Sequence, residues 1–368
     1  MDILKKGIII IIFLSTFLMA LRVFLLGRYP DFSVYYFGSK TYLVGNNPYL
    51  PSPESFSNYV YPPFVLLLFA PFLGLSVSFA AVIFILLSLT ALFLGVYFCL
   101  KSLNKFTWTS YTLILTFCFL AFPTKFTLGM GQVNLIIFLL LSLALYFANK
   151  NRPVMAGGML GLSLAIKLFP VLLIGYFLLK KQLKVIIAAL GLLLFLYGLT
   201  FFVVGIPLHK IFFTSVLPGV GNAYQGEYYN QALSGFFARL PLASVAGIFI
   251  KNIVAFAFAL FSFLAIYRMR KKRSLEALSF SFVITLGLII NPFSWQHHFV
   301  WLILPFIVTF YSIEKKRKGY IVFLVISYFL IALNFAKPED LPLLFQSHVL
   351  FGTMLLWFLQ LRLLLLKK

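Results

Sequence analysis

The first long apolar run of the chain ends in a short polar passage, Gly27-Arg28-Tyr29-Pro30-Asp31-Phe32-Ser33-Val34-Tyr35-Tyr36. Asp31 is one of only eight acidic residues among 368. An ionisable group beside a long apolar segment is costly, and such groups are commonly kept because they have a function. We therefore take Asp31 as the first functional candidate and interpret the rest of the chain relative to it.

The composition indicates an integral membrane protein. Hydrophobic residues make up 62% of the chain and charged residues 10%, which is more apolar surface than a soluble domain can bury. Apolar runs of about 20 residues alternate with short polar breaks, a pattern that predicts transmembrane helices. A membrane β-barrel would instead show alternation at every second residue.

The formal charge of +22 is explained by membrane topology. Lysine and arginine concentrate at alternate breaks between apolar runs, as the positive-inside rule expects of cytoplasmic loops. Because no basic groove with interleaved aromatic residues lies outside these turns, nucleic acid is not an expected partner. The pattern predicts that both termini lie in the cytoplasm, and we expect the membrane to be the bacterial plasma (inner) membrane.

We expect one all-α domain over residues 1–368, a helical bundle of about twelve transmembrane or re-entrant helices. The N-terminal run has the length of a span and no small-residue cleavage site, so it is expected to remain as an anchor. The expected spans are 7–26, 77–100, 107–123, 132–148, 153–166, 168–179, 185–204, 242–267, 275–290, 299–313, 319–336 and 344–365.

Two stretches do not fit full spans. Arg152 and Lys180 are too close in sequence for two complete crossings, so we expect a short helical hairpin with Lys167 at its tip, facing a cavity. The run 61–75 contains three prolines and is expected to lie along the outer interface as juxtamembrane helix. Two long outer segments, 27–76 and 205–241, are therefore expected to form the active-site face.

Asp31 has two compatible interpretations. It follows a proline and precedes the helical stretch 32–43, so it can act as a helix N-cap. A helix N-terminus also favours an ionised carboxylate, which is the form that a general base needs. The sequence leaves both roles open.

His297 and His298 are adjacent at the start of an apolar run. Neighbouring residues on a helix point about 100° apart, and no carboxylate or cysteine is spaced to complete a metal site. We therefore expect no metal, and a phosphate or sugar contact by one of the histidines, with interfacial packing as the alternative. Cys99 and Cys118 lie in predicted spans and are expected to be buried packing residues.

Two further passages are rich in polar and aromatic side chains. The stretch 224–231 combines amides with tyrosines, which suits sugar binding but is also typical of an aromatic belt at the membrane interface. The stretch 129–134 begins a span with small and amide residues, which is also expected of hydrogen bonds between helices.

The polar motifs, taken in order, resemble those of glycosyltransferase family 87. The resemblance covers nearly the whole chain and rests on Asp31-Phe32-Ser33-Val34-Tyr35-Tyr36, Gly45-Asn46-Asn47-Pro48-Tyr49, Tyr61-Pro62-Pro63-Phe64, Gly131-Gln132-Val133-Asn134, Lys167-x-x-Pro170, Asn230-Gln231 and Ser294-Trp295-Gln296-His297-His298. These are polytopic enzymes of the GT-C type, similar to the mycobacterial polyprenol-phosphate-mannose-dependent α-mannosyltransferases.

The resemblance implies a hexosyltransferase that uses a polyprenyl-monophosphate donor carrying a hexose such as mannose. The acceptor would be a glycolipid or glycan at the outer leaflet, and the enzyme would need no metal or other cofactor. Transfer would be an inverting single displacement in which an aspartate of the first outer segment removes the acceptor proton. Asp31 is the matching residue.

The remaining roles are assigned by chemistry. A phosphate leaving group needs fixed donors or positive charge, for which Lys167, His297 and His298 are the best candidates. Candidates for substrate binding are Tyr35, Tyr61, Gln132, Asn134, Gln231 and Trp295. The alternative function is a secondary transporter or lipid flippase, although such proteins commonly show repeated halves, which this chain does not.

Overall fold

The computed structural model describes residues 7, 9–18, 21, 27–221, 225–241, 244–314, 317–335 and 337–366. Over these residues the fold is all-helical, as expected, and pairing of extended backbone is limited to one antiparallel bridge between Asn230 and Trp295. The helices are α1 (Ile9–Leu18), α2 (Pro30–Leu43), α3 (Pro63–Phe69), α4 (Val77–Ser102), α5 (Trp108–Leu120), α6 (Phe122–Met130), α7 (Asn134–Asn149), α8 (Pro153–Ile166), α9 (Leu172–Leu179), α10 (Leu183–Val203), α11 (Ile206–Ile211), α12 (Leu217–Val220), α13 (Leu233–Arg239), α14 (Ser244–Met269), α15 (Glu276–Ile290), α16 (Ile303–Ser312), α17 (Lys318–Ala332), α18 (Leu343–Gln346) and α19 (His348–Leu366).

The expected count of twelve spans is not confirmed. Among the described helices, five are long and apolar enough to cross a membrane, and a sixth span results if α5 and α6 count as one. These two helices meet at a bend of 69°, where Pro123 lies in the first turn of α6. Seven further apolar helices have only 10–17 residues. The expected first span, 7–26, lies partly outside the described residues.

The hairpin around Lys167 consists of two short helices. Helix α8 has 14 residues, about 21 Å of length and less than a membrane's hydrocarbon thickness. Lys167 follows it in an extended conformation, and a 3-10 turn, Phe169–Val171, leads into α9. Pro170 and the extended backbone at Lys167 interrupt the helix. The chain therefore reverses direction at Lys167, between α8 and α9.

Helix α8 packs closely against α10 through two glycines four residues apart. A Cβ at Gly161 would lie 2.5 Å from the carbonyl oxygen of Ala189, and one at Gly157 would collide with the carbonyl oxygen of Val185. Such small-residue pairs allow helix backbones in membranes to approach each other. This contact fixes α8, and therefore the position at which Lys167 leaves it.

The segment 27–76 folds around α2 and α3. Pro30 is the first residue of α2, Tyr29 precedes it in the left-handed conformation, and α2 has no side-chain cap. The interpretation of Asp31 as the N-cap is therefore wrong, because this residue lies inside the first turn and bonds elsewhere. Its position still places the carboxyl near the positive end of the helix dipole. The run after Tyr61 becomes α3 and a 3-10 turn.

We predict that Gly161→Ala destabilises the protein by about 1–3 kcal/mol, because the new methyl group forces α8 away from α10. Thermal unfolding in detergent measures this effect. Gly158→Ala is the matched control on the same helix, since a Cβ there has no atom within 4 Å and alanine favours helix by up to about 1 kcal/mol over glycine. Equal losses for both variants would contradict the packing argument.

Candidate active site

The candidate active site is a cavity of about 880 Å³ that collects residues from many separate parts of the chain. Its polar lining includes Asp31 from α2, Gln132 before α7 and Lys167 after α8. Tyr61 and the segment 295–298 complete this side, with Trp295, His297 and His298 in the wall. The proposed base and all three proposed phosphate ligands therefore face one space.

Gln132 lies at the centre of the polar wall. Its Nε2 donates to the Asp31 Oδ2 atom at 2.6 Å and to the Tyr61 hydroxyl at 3.1 Å. Its Oε1 accepts from the Tyr35 hydroxyl at 2.8 Å and from the Lys167 Nζ atom at 3.2 Å. An amide side chain has two donor and two acceptor positions, so these four bonds use all of them. Gln132 is thereby a bridge between base and lysine.

A glycine makes this bridge possible. Gly131 ends α6 in the left-handed conformation with φ of 70°, which a residue with a Cβ adopts only with strain. A Cβ at this position would lie 2.7 Å from the Cβ of Phe32. The start of α2 can therefore approach the loop closely enough for Asp31 to reach Gln132.

The Asp31 carboxyl is buried, with 9% of the residue exposed. Burial raises its pKa to about 6, while the Gln132 hydrogen bond and the Lys167 charge act in the opposite direction. Burial disfavours an isolated charge, and the hydrogen bond favours the carboxylate. A carboxyl group tuned close to neutral pH suits general base catalysis.

Lys167 contacts three side chains from two other segments. Its Nζ lies 3.2 Å from Gln132 Oε1, 3.1 Å from Asn134 Oδ1 and 3.1 Å from His298 Nε2. It also lies 5.6 Å from the ring centre of Tyr61. Burial lowers its pKa to about 7, with Asp31 opposing the shift. The lysine is thus held by fixed partners at the cavity wall.

Both histidines are buried at the cavity wall, and burial lowers the pKa of each well below its usual value. The His298 Nδ1 atom accepts a hydrogen bond from the Trp295 backbone N–H at 3.0 Å. Within the described part of the chain, the buried His297 Nδ1 atom has no hydrogen-bond partner. His297 therefore offers an unused polar atom in the wall of the cavity.

The segment 294–298, which carries the two histidines, is held in place by the segment 205–241. The Gln231 backbone N–H donates to the Ser294 carbonyl at 2.8 Å, and the Gln296 N–H donates to the Tyr229 carbonyl at 2.9 Å. Arg239 anchors the same loop, because its guanidinium donates to the Glu227 and Asn230 carbonyls at 2.8 and 3.0 Å and to the Ser347 hydroxyl. This backbone pairing orients the two histidines toward the cavity.

Three predicted substrate-binding residues do not line the cavity. Tyr35 and Asn134 are buried behind it and bond to Gln132 and Lys167, respectively. Gln231 is buried, with its Nε2 donating to the Tyr228 and Gln346 carbonyls. These contacts favour a positioning role for the three side chains. Tyr61, Gln132 and Trp295 do line the cavity.

A family model, described as glycosyltransferase family 87, matches residues 59–292. The chain belongs to this family. A similar protein from Mycolicibacterium smegmatis, a polyprenol-phosphate-mannose-dependent alpha-(1-2)-phosphatidylinositol mannoside mannosyltransferase, is 24% identical over 80% of this chain and 73% of its own. A protein of the same description from Mycobacterium tuberculosis is 24% identical over 78% of this chain and 71% of its own.

A third relative of this family 87 glycosyltransferase comes from Mycobacterium tuberculosis. It is a polyprenol-phosphate-mannose-dependent alpha-(1-2)-phosphatidylinositol pentamannoside mannosyltransferase, 26% identical over 71% of this chain and 60% of its own. Family membership confirms the expectation of a membrane-bound glycosyltransferase. It does not favour the alternative of a secondary transporter or lipid flippase.

The cavity also contains residues that the sequence did not point to. Lys251 of α14 lines it, as do Tyr59, Phe212 and Asn291. Lys251 interrupts an apolar run that we assigned as a span, and an ionisable residue inside such a run is a recognised functional signal. In the described residues, no group of three or more His, Cys, Asp or Glu side chains is placed to hold a metal ion.

We predict that Gly131→Ala disrupts the site, because the added Cβ separates α2 from the loop that carries Gln132. The expected outcome is a loss of about 2 kcal/mol or more in stability, from strain at positive φ together with overpacking, and a large loss of transferase activity. Detergent melting curves and a transfer assay measure the two effects. Gly74→Ala is the control, since a Cβ there meets no atom within 4 Å. A Gly131→Ala protein with normal activity would show that this close approach is dispensable.

Proposed function

We propose that this enzyme transfers mannose from a polyprenyl-phosphate-mannose donor to a mannoside glycolipid acceptor. The relatives' descriptions support the donor and acceptor classes. The observation that carries the proposal is the bridge from Asp31 through Gln132 to Lys167 in one cavity. It joins a carboxyl group suited to proton removal with a lysine whose ammonium form suits a phosphate leaving group.

In the proposed reaction, an acceptor hydroxyl oxygen attacks the anomeric carbon of the donor sugar. The bond from this carbon to the phosphate oxygen breaks, and the hydroxyl proton passes to the Asp31 carboxylate. Gln132 donates a hydrogen bond to the Oδ2 atom of Asp31. The Oδ1 atom would then accept the proton from the acceptor hydroxyl. Fixed hydrogen bonds of this kind hold a base in its reactive geometry at no cost during the reaction.

The leaving phosphate would bind beside Lys167, His297 and His298. Preorganised donors in a poorly hydrated site stabilise the negative charge that develops on the leaving group. All three side chains line the cavity, which supports a ligand at this position. Tyr61 and Trp295 present rings and polar tips that suit a sugar.

The lining of the cavity supports a single displacement. Within the described part of the chain, Asp31 is the one carboxylate that lines it. A double displacement with retention needs a nucleophile in addition to an acid or base, and both roles are commonly filled by carboxylates. Inversion with Asp31 as the base is therefore the mechanism that we propose, without a metal or other cofactor.

The other side of the cavity suits the polyprenyl chain. It is lined mainly by apolar side chains of the second outer segment and its neighbours, namely Phe56, Phe212, Val216, Leu217, Val220 and Phe293. A polyprenyl tail is entirely apolar, and its burial against such side chains is favourable at about 25 cal/mol per Å². The cavity thus combines a polar wall for phosphate and sugar with an apolar wall for the lipid.

The distribution of basic turns supports an outward-facing cavity. Helix α7 begins beside the cavity and ends next to Lys150, whereas α8 begins after Arg152 and ends just before Lys167. Helix α15 similarly follows the basic stretch 268–273 and ends at Asn291. Because basic turns favour the cytoplasmic side, the opposite ends of these helices would face outward, as an outer-leaflet acceptor requires.

We predict that Asp31→Asn lowers transfer by about 10²–10⁴-fold, the usual contribution of a general base. Asparagine keeps the shape of the side chain, so donor binding should persist. The assay incubates membranes that contain the enzyme with labelled polyprenyl phosphomannose and a lipid extract, and identifies the labelled product.

Glu54→Gln is the control for this experiment, because Glu54 belongs to the same outer segment and forms an exposed ion pair with Lys40 at 3.2 Å. It should retain full activity. Near-normal transfer by Asp31→Asn would exclude Asp31 as the base. If the parent enzyme transfers no label to any lipid of the extract, the proposed donor and acceptor classes are excluded.

The pH profile should depend on Gln132. The base must be deprotonated, so activity is present above the pKa of Asp31, about 6, and is lost as the pH falls through that value. Removing the hydrogen bond to the carboxylate in Gln132→Leu raises this pKa, and a charged hydrogen bond of about 1.5–3 kcal/mol corresponds to about 1–2 pH units.

Rates measured from pH 5 to pH 9 test this shift of the acid limb. Tyr35→Phe is the comparison variant, because it removes a bond to the other end of the Gln132 amide and should shift the limb less. An unchanged acid limb in Gln132→Leu would mean that another group controls the rate at low pH.

A further inference from the structure

The hydrogen bonds around Lys167 determine the direction of each donor. Asn134 Nδ2 donates to the His297 backbone carbonyl at 3.2 Å, so its oxygen faces the lysine. Gln132 Nε2 donates to Asp31 and Tyr61, so its oxygen also faces the lysine. Since amide oxygens only accept, the lysine nitrogen must donate to both.

The hydrogen bond between Lys167 and His298 runs in the opposite direction, toward the lysine. The Trp295 backbone N–H can only donate, and it points at Nδ1 of His298 at 3.0 Å. A neutral imidazole whose Nδ1 accepts carries its proton on Nε2. This N–H faces the Lys167 Nζ atom at 3.1 Å. The lysine nitrogen must therefore accept from His298 while it donates to the two amides.

An ammonium group has three donors and no lone pair, whereas an amine has two donors and one lone pair. Only the amine satisfies two amide oxygens and one imidazole N–H together. The surroundings agree, because burial lowers the pKa of Lys167 to about 7 and keeps His298 neutral. Asp31, Tyr35 and Tyr61 are the titratable groups that bond to the Lys167 partner Gln132. Tyr61 and His298 contact Lys167 itself, and the lysine charge also acts on His297.

We propose that Lys167 is a neutral amine in the resting enzyme and takes up one proton from solvent when the phosphate of the donor binds. The identity of the ligand rests on the proposed function. The neutral state of Lys167 in the ligand-free enzyme does not depend on that function. The incoming phosphate adds a second negative charge to that of the Asp31 carboxylate, and the amine becomes an ammonium group by gaining the proton. Before the donor arrives, the site holds no buried ammonium group.

Proton uptake also assigns separate roles to the two titratable groups during transfer. The acceptor proton goes to Asp31, and the leaving phosphate gains the electrons of the broken bond. The Lys167 ammonium then neutralises the added negative charge on the phosphate. When the phosphate product leaves, Lys167 loses its proton again. The resting hydrogen bonds of the site then re-form.

The resting state is tested first by competitive acetylation of the ligand-free enzyme with trace acetic anhydride across pH 5–11, with mass spectrometry of each lysine peptide. Only the neutral amine reacts, so the reactivity of Lys167 should show a midpoint about 3 units below the ordinary lysine value near 10.4. Lys251, which lines the same cavity, reports entry of the reagent. A Lys167 midpoint near the ordinary value would overturn the proposal.

The binding step is tested by calorimetry at pH 7.5 with a short-chain polyprenyl phosphomannose in Tris and in HEPES. This phosphodiester does not titrate near neutral pH, so a buffer-dependent heat reports protons taken up by the protein. A pKa of about 7 leaves Lys167 about three-quarters neutral at pH 7.5. We therefore expect uptake of about three-quarters of a proton by the parent enzyme and none by Lys167→Arg, because guanidinium is always charged. Heats that are independent of the buffer for the parent enzyme would overturn the proposal.

The two experiments separate this inference from the proposed function. If the phosphomannose does not bind, the proposed donor class fails, while the acetylation midpoint still decides whether Lys167 rests as an amine. His298→Ala provides a further check, because it removes the N–H that requires a lone pair on the lysine. The acetylation midpoint should then move toward the ordinary value, and an unchanged midpoint would contradict the hydrogen-bond assignment.

Discussion

The active site depends on the four hydrogen bonds of one buried amide. Gln132 joins Asp31 and Tyr61 through its nitrogen and Tyr35 and Lys167 through its oxygen. These partners come from the segment 27–76 and from the break after α8. A buried amide group without its hydrogen-bond partner destabilises the fold by about 1–3 kcal/mol. Each partner of Gln132 therefore restrains the others, and a shift of α2 or α8 would displace the Asp31 carboxyl.

The same burial explains the electrostatics of the site. A carboxyl and an amine in a poorly hydrated cavity are each pushed toward their neutral forms, so the pKa of Asp31 rises and that of Lys167 falls. Their separate hydrogen bonds then decide which form each group adopts. In the proposed mechanism, the empty cavity therefore holds no buried ammonium group until the donor phosphate arrives.

The histidine side of the cavity depends on a second set of contacts. Pairing between the segments 229–231 and 294–296 holds the His297-His298 pair, and Arg239 fastens that loop to Ser347. These are mainly backbone contacts, which place the loop without specifying its side chains. The wall that would meet the phosphate can therefore be rigid although it is formed by loops and 3-10 turns.

The sequence alone determined the class of protein, the helical character, the break at Lys167 and the family, because these depend on apolar runs, prolines and the order of short motifs. It did not determine the number of spans, since half-length helices and bent pairs have the same composition as full spans. It also did not show that Asp31 bonds to Gln132 instead of capping α2, or that Tyr35, Asn134 and Gln231 face the protein instead of the cavity. Asp31 and Gln132 are 101 positions apart, and the partner of an amide depends on how distant helices pack, which only the tertiary structure decides.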